Sequence, residues 1–104
     1  MSAFSDALGI TASGLKAQAT RLRVLSENIA NVDTPGYRRK TIPFETTHSG
    51  MNVETGAVRL DKADLARIHD PSHPLADETG HYEGSNVELI IEIADAREAQ
   101  RSYE

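Results

Sequence analysis

At 104 residues the chain is one domain at most, and its 38 % hydrophobic and 5 % aromatic content, with no Trp, supplies little of the large apolar surface that a self-sufficient core needs. A formal net charge of −5 argues against nucleic acid as a default partner. No Cys is present, which excludes disulfide and thiol chemistry, and no continuous apolar run has membrane-spanning length.

Residues 1–31 predict one long helix. Leu8, Leu15, Leu22 and Ile29 recur at intervals of seven, with Ala12, Ala19 and Ser26 four residues after the first three. That is one apolar seam of the coiled-coil kind. A helix of ~30 residues is about 45 Å long, and a stripe on it cannot bury itself, so it needs a partner helix. Gly9 and Gly14 weaken the helix locally. Either another backbone comes close there, or the terminus is simply frayed. Asn31 suits a left-handed helix end, and Pro35 follows shortly. The first eight residues carry neither a basic nor a continuous apolar stretch, so a cleaved secretory signal is not expected.

Asp33-Thr34-Pro35-Gly36-Tyr37 predicts a type II turn, with Pro presetting φ and Gly supplying φ > 0. Tyr37, Thr41, Ile42 and Phe44 are strand formers interrupted by Pro43, which suggests an edge strand or bulge. Arg38-Arg39-Lys40 is a basic run, read either as a solvated strand end or as a docking patch for an acidic neighbour. Residues 46–56 read as a polar loop. Residues 57–60 and 65–69 read as a short β-hairpin around Asp61–Asp64. Asp70-Pro71-Ser72-His73-Pro74 forces an extended or turning path, and 76–85 reads as turns. His69, His73 and His81 lie near Asp70, Asp77 and Glu78, but without recurrent ligand spacing, so no metal site is assigned.

A second helix is expected from Asn86, capped by Ser85 or Asn86, with Val87, Ile90, Ile91 and Ala94 on its apolar face. Residues 1–31 carry net charge +1 and residues 86–104 carry −3. Opposite signs suit segments lying side by side, although ordinary solvated faces would read the same way. The pattern stops in mid-helix at Tyr103-Glu104, as in a C-terminally shortened chain. The fold class is therefore mainly α with a small β excursion: an N-terminal coiled-coil helix (1–31), an extended and hairpin region (32–85), and the start of a C-terminal coiled-coil helix (86–104).

Four stretches carry a family resemblance. Ser26-Glu27-Asn28-Ile29-Ala30-Asn31-Val32-Asp33-Thr34-Pro35-Gly36-Tyr37, and Ala12 to Gln18 before it, resemble the N-terminal helix and its closing signature in bacterial flagellar rod and hook proteins. Asp70 to Gly80, and Asn86 to Glu104, are similar to segments of that family's proximal rod subunits. Those chains continue past Arg-Ser-Tyr-Glu, and many have a longer insertion before the Tyr. The resemblance implies a structural subunit of the flagellar proximal rod, the drive shaft, serving motility. It implies export by the flagellar type III apparatus and assembly in the periplasm. Terminal helices would form a coiled-coil inner layer. Expected partners are other rod subunits, basal-body ring and export-gate proteins, and further copies in a helical tube.

No catalytic residue, cofactor, nucleic acid or membrane insertion is expected. An enzyme would need a nucleophile and base held in a pocket, and Asp77-Glu78 are adjacent in a loop. The expected assembly residues are Leu8, Leu15, Leu22 and Ile29, with Val87, Ile90, Ile91 and Ala94 as the opposing face. Asn28 and Asn31 are expected to satisfy helix-end carbonyls and the turn backbone. The alternatives are another axial rod or hook subunit, or a cytoplasmic coiled-coil adaptor.

Overall fold

The computed structural model describes residues 2–47 and 52–103. Helix α1 (Ala3–Ala30) opens on Ser2, whose hydroxyl accepts the Ser5 N–H at 3.1 Å. Asp6 lies in the first turn, where the helix dipole favours an anion. The 28 residues make a rod of ~42 Å. It stops at Asn31 as expected, but without a left-handed cap: Asn31 has φ −110°. Its side-chain amide donates instead to the Glu27 carbonyl at 2.9 Å, which also accepts the Asn31 backbone N–H at 3.1 Å, so the helix end is closed without positive φ.

The chain then turns as Pro-Gly dictates. Tyr37 N–H donates to the Thr34 carbonyl at 3.1 Å, and Gly36 takes φ 75°. Among the described residues, six short strands follow: β1 (Lys40–Thr41), β2 (Phe44–Thr46), β3 (Val53–Thr55), β4 (Arg59–Leu60), β5 (Arg67–His69) and β6 (His81–Glu83). They form three antiparallel two-stranded ribbons, β1 with β4, β2 with β3, and β5 with β6.

This pairing corrects three expectations. Residues 57–60 and 65–69 do not pair with each other. Asp61 and Ala63, between them, are held sideways: both carbonyls accept from Arg38 and from the Asn86 amide, and the Asp61 carboxylate accepts the Ala63 N–H. The intervening segment is therefore not a hairpin turn. The stretch read as a polar loop, 46–56, instead contains β3, which pairs with β2, while residues 48–51 lie outside the described ones. The turn-rich 76–85 contains β6. Pro43, lacking an N–H, falls where the chain leaves its pairing with β4 and begins pairing with β3; its carbonyl accepts from Gly56 at 2.9 Å.

Helix α2 (Leu89–Tyr103) starts three residues later than expected. Neither Ser85 nor Asn86 stands at its first residue. Ser85 donates to the Val32 carbonyl, while Asn86 ties to Arg39, Asp61 and Ala63. The helices run antiparallel, with Asn28 of α1 against Glu92 of α2, and Arg21 reaching Asp95 and Glu98 at 3.8 and 3.6 Å. The opposite charges of the two terminal segments thus face each other. Among the described residues the buried apolar set is small: Ala17, Val24, Leu25, Val87 and Ala99. The envelope is elongated, 66 × 25 × 16 Å.

Candidate functional site: an outward apolar ridge and a buried polar clasp

The surface of α1 divides into two strips. Ala17, Val24, Leu25 and Asn28 are buried, and with Arg21 they mark the side facing α2. At 3.6 residues per turn, Leu8, Leu15, Leu22 and Ile29 lie about a third of a turn away. Leu8 is 55 % exposed and Leu15 38 %, while Leu22 and Ile29 are half-buried. A Cβ built on Gly9 or Gly14 would meet nothing within 4 Å, so among the described residues no backbone outside the neighbouring turns of α1 comes close at either position.

On α2 the strip turned inward is Glu92 and Ala99, with Asp95 and Ala96 half-buried. Ile90 is 85 % exposed; Ile91 and Ala94 are also exposed, and Val87 is buried just before the helix. The two residue sets expected to oppose one another are therefore not the ones that bring α1 and α2 together. Arg21 and Arg39 draw Asp95 and Glu92 inward, and the isoleucines are left outside.

Behind the ridge lies a polar clasp. Asn28 and Glu92 have 0 % exposure. Every hydrogen-bonding position of the Asn28 amide is filled. Its Nδ2 donates to the Lys40 carbonyl at 2.8 Å and to Glu92 Oε2 at 3.3 Å, and its Oδ1 accepts from Lys40 N at 2.9 Å and Tyr37 Oη at 2.8 Å. Asn28 thus clamps the β1 backbone; the helix-end carbonyl falls to Asn31 alone.

Arg39 pairs through Nε with Glu92, and through its Nη atoms with Asp61 and Asp95, each at 3.4 Å. Burial works against the Arg39 charge, but the bonds and charges of Glu92 and Asp61 outweigh it and hold the guanidinium above its ordinary value. Burial, then the Glu27 charge, pushes the Tyr37 hydroxyl up. The Ala63 N–H, with Arg39 nearby, holds Asp61 below the usual carboxylate range.

The turn residues stitch this clasp together. Gly36 N–H donates to the Glu83 and Gly84 carbonyls at 3.2 and 3.1 Å, and Thr34 Oγ1 donates to Asn31 Oδ1 at 3.0 Å. Asp33 and Pro35 remain exposed. The basic run is engaged inside the chain: Arg38 on the Asp61 and Ala63 carbonyls, Arg39 in the clasp, Lys40 on Glu27. Sequence reasoning missed Glu92, Asn86 and Asp61. The signal for Glu92 was a lone acid inside Ile90-Ile91-Glu92-Ile93.

His69 and His81 are cross-strand partners with ring centroids 4.7 Å apart, and His73 stacks on Tyr82 at 3.9 Å. His73 Nδ1 accepts the Leu75 N–H. Among the described residues no group of three His, Cys, Asp or Glu is placed to hold a metal. None of the described helices is long and apolar enough to cross a membrane.

A long capped helix, a Pro-Gly turn and a returning helix frame the ridge and the clasp. Residues 8–38 match the family described as flagella basal body rod protein. The chain is 46 % identical to the flagellar basal-body rod protein FlgC of Agrobacterium fabrum, over all of this chain and 83 % of the relative. It is 32 % identical to FlgC of Borreliella burgdorferi (all of this chain, 86 % of the relative) and 31 % identical to FlgC of Escherichia coli O157:H7 (91 % and 78 %). The chain belongs to the FlgC family of flagellar basal-body rod proteins. That family is structural, not enzymatic.

Proposed function

We propose that the chain is a structural subunit of the proximal rod in the bacterial flagellar basal body, exported by the type III apparatus and serving motility. The observation that carries this reading is what the helical pair buries and what it leaves outside. A fully bonded polar cluster is buried, and Leu8, Leu15, Ile90 and Ile91 face outward. A lone soluble protein gains nothing from such a layout, whereas a subunit covered by neighbours does. Burying one Leu or Ile stabilises a contact by roughly 1.5–3 kcal/mol. Repeated along α1, that packing sets whether subunits associate, and surface charge sets their orientation. Rod subunits and other basal-body components are the neighbours that would cover Leu8, Leu15, Leu22 and Ile29, with Ile90, Ile91 and Ala94 on the returning segment; Val87 is already buried within the chain. The export-gate and ring contacts belong to the same proposal.

The test is a strain whose only copy of the gene carries Leu15→Asp. Swimming in soft agar and completed rods in isolated basal bodies are expected to be lost, with the monomer still helical. Normal swimming would overturn the role of the ridge. Absence of the unaltered chain from purified basal bodies would overturn the rod reading itself.

A further inference from the structure

Two surface features are locally unfavourable as they stand, and each has what the other lacks. On the β2/β3 ribbon Glu45 and Glu54 are direct cross-strand partners, both exposed. Like charges directly opposite in a ribbon are destabilising. On α2, Arg97 and Arg101 are four residues apart, both exposed, a like-charge spacing that also costs stability. They flank a hollow floored by Ile90, Ile93 and Ala94. Among the described residues none of these four charged groups makes an ion pair; Lys16 shares a hollow with Glu54 without reaching it.

We propose that the outer face of α2 receives the β2/β3 ribbon of a second copy of this chain, with Glu45 and Glu54 facing Arg97 and Arg101. The inference deepens, and rests on, the assembly reading above. Charge complementarity selects the occupant, and the spacing agrees. Cross-strand partners have Cβ atoms about 4.5–5.5 Å apart, and an i,i+4 helical pair about 5–6 Å. The ribbon is already fixed for the purpose: Val53 N–H donates to Ser13 Oγ at 3.1 Å, which ties it to α1. The Glu45 carboxylate lies over Gly56, in space where a Cβ would come within 2.5 Å. Because the two patches differ, the contact is heterologous. Repeated from copy to copy it continues as a ring or helix rather than stopping at a dimer.

The test is sedimentation velocity on the full chain at rising concentration. Glu45→Lys with Glu54→Lys makes one variant, and Arg97→Glu with Arg101→Glu makes the other. Each variant alone is expected to associate at least about tenfold more weakly than the unaltered chain, because like charges then face each other. An equimolar mixture of the two is expected to recover association, since each supplies the sign the other needs. Circular dichroism on each variant reports that the helices remain. Undiminished association of either variant, no recovery on mixing, or a wild-type chain that stays monomeric throughout would each overturn the contact. Recovery of the unaltered chain in basal bodies, measured separately, would leave the rod reading standing.

Discussion

Tyr37 Oη donates to Asn28 Oδ1 at 2.8 Å, so the last residue of the Pro-Gly turn reaches back nine positions to a buried amide in the last two turns of α1. This bond closes the clasp over the β1 backbone. Asn28→Ala would leave Lys40 N–H and C=O without partners, along with the Tyr37 hydroxyl. A buried orphan group costs about 1–3 kcal/mol, so Asn28→Ala is expected to destabilise by about 2–4 kcal/mol in urea unfolding. Tyr37→Phe removes one donor and is expected to cost about 1 kcal/mol.

The Arg39–Glu92 pair makes a second, sharper prediction. Glu92 is fully buried and Arg39 largely so. Glu92→Met alone takes one carboxylate from the guanidinium, and Arg39→Met alone leaves the buried carboxylate without its cation. Removing one partner of a buried pair costs about 3–5 kcal/mol, whereas replacing both by apolar residues is often near neutral. Asp61 and Asp95 still hold Arg39 when Glu92 is gone, so Arg39→Met is expected to be the more damaging single change. The double variant is expected to recover most of the loss, as read by a double-mutant cycle.

Leu15 and Leu25 separate folding from assembly. Leu25 is buried against the rest of the chain, and Leu15 is not. Leu25→Ala is expected to lower monomer stability by about 2–5 kcal/mol. Leu15→Ala is expected to change it by no more than about 0.5 kcal/mol, yet to weaken self-association. Thermal melts of dilute protein and sedimentation at high concentration distinguish the two effects.

Asp77 sets an acid limit on the loop between β5 and β6. Its carboxylate accepts from the Thr79 hydroxyl at 2.6 Å and from the Thr79 and His81 N–H groups, which lowers its pKa from 3.8 to about 2. A carboxylate depressed in the folded state contributes stability that is present above its unfolded pKa and lost as pH falls through the folded one. Amide protection at Thr79 and His81 is therefore expected to begin weakening below pH ~4 and to disappear near pH ~2. In Asp77→Asn that acid-dependent loss is expected to vanish. Hydrogen exchange by NMR reads it directly.

Helix α1 and the turn after it were legible because their signals are local. A seven-residue repeat, a polar residue at Asn31 and a Pro-Gly step determine φ and hydrogen bonding within a few residues. The ribbons were not. β1 pairs with β4 across about twenty residues, and strands of two or three residues carry no pattern that names a partner. Which strip of α2 turns toward α1 was not legible for a related reason. Hydropathy marks Ile90 and Ile93 as apolar, but Arg39 and Arg21 pair with Glu92 and Asp95 and turn that strip of the helix inward. The full coordination of Asn28 depends on Tyr37, Lys40 and Glu92 arriving from three elements, which no spacing rule encodes.

The outward isoleucines and leucines have a practical corollary in the test tube. Large greasy residues remain on the outside, so excluded salts such as ammonium sulfate are expected to push this polypeptide into oligomers well before they touch its helix content. A purification that exploits this, salting out gently and redissolving at low ionic strength, would return a stickiness that belongs to the native shape and not to any damage.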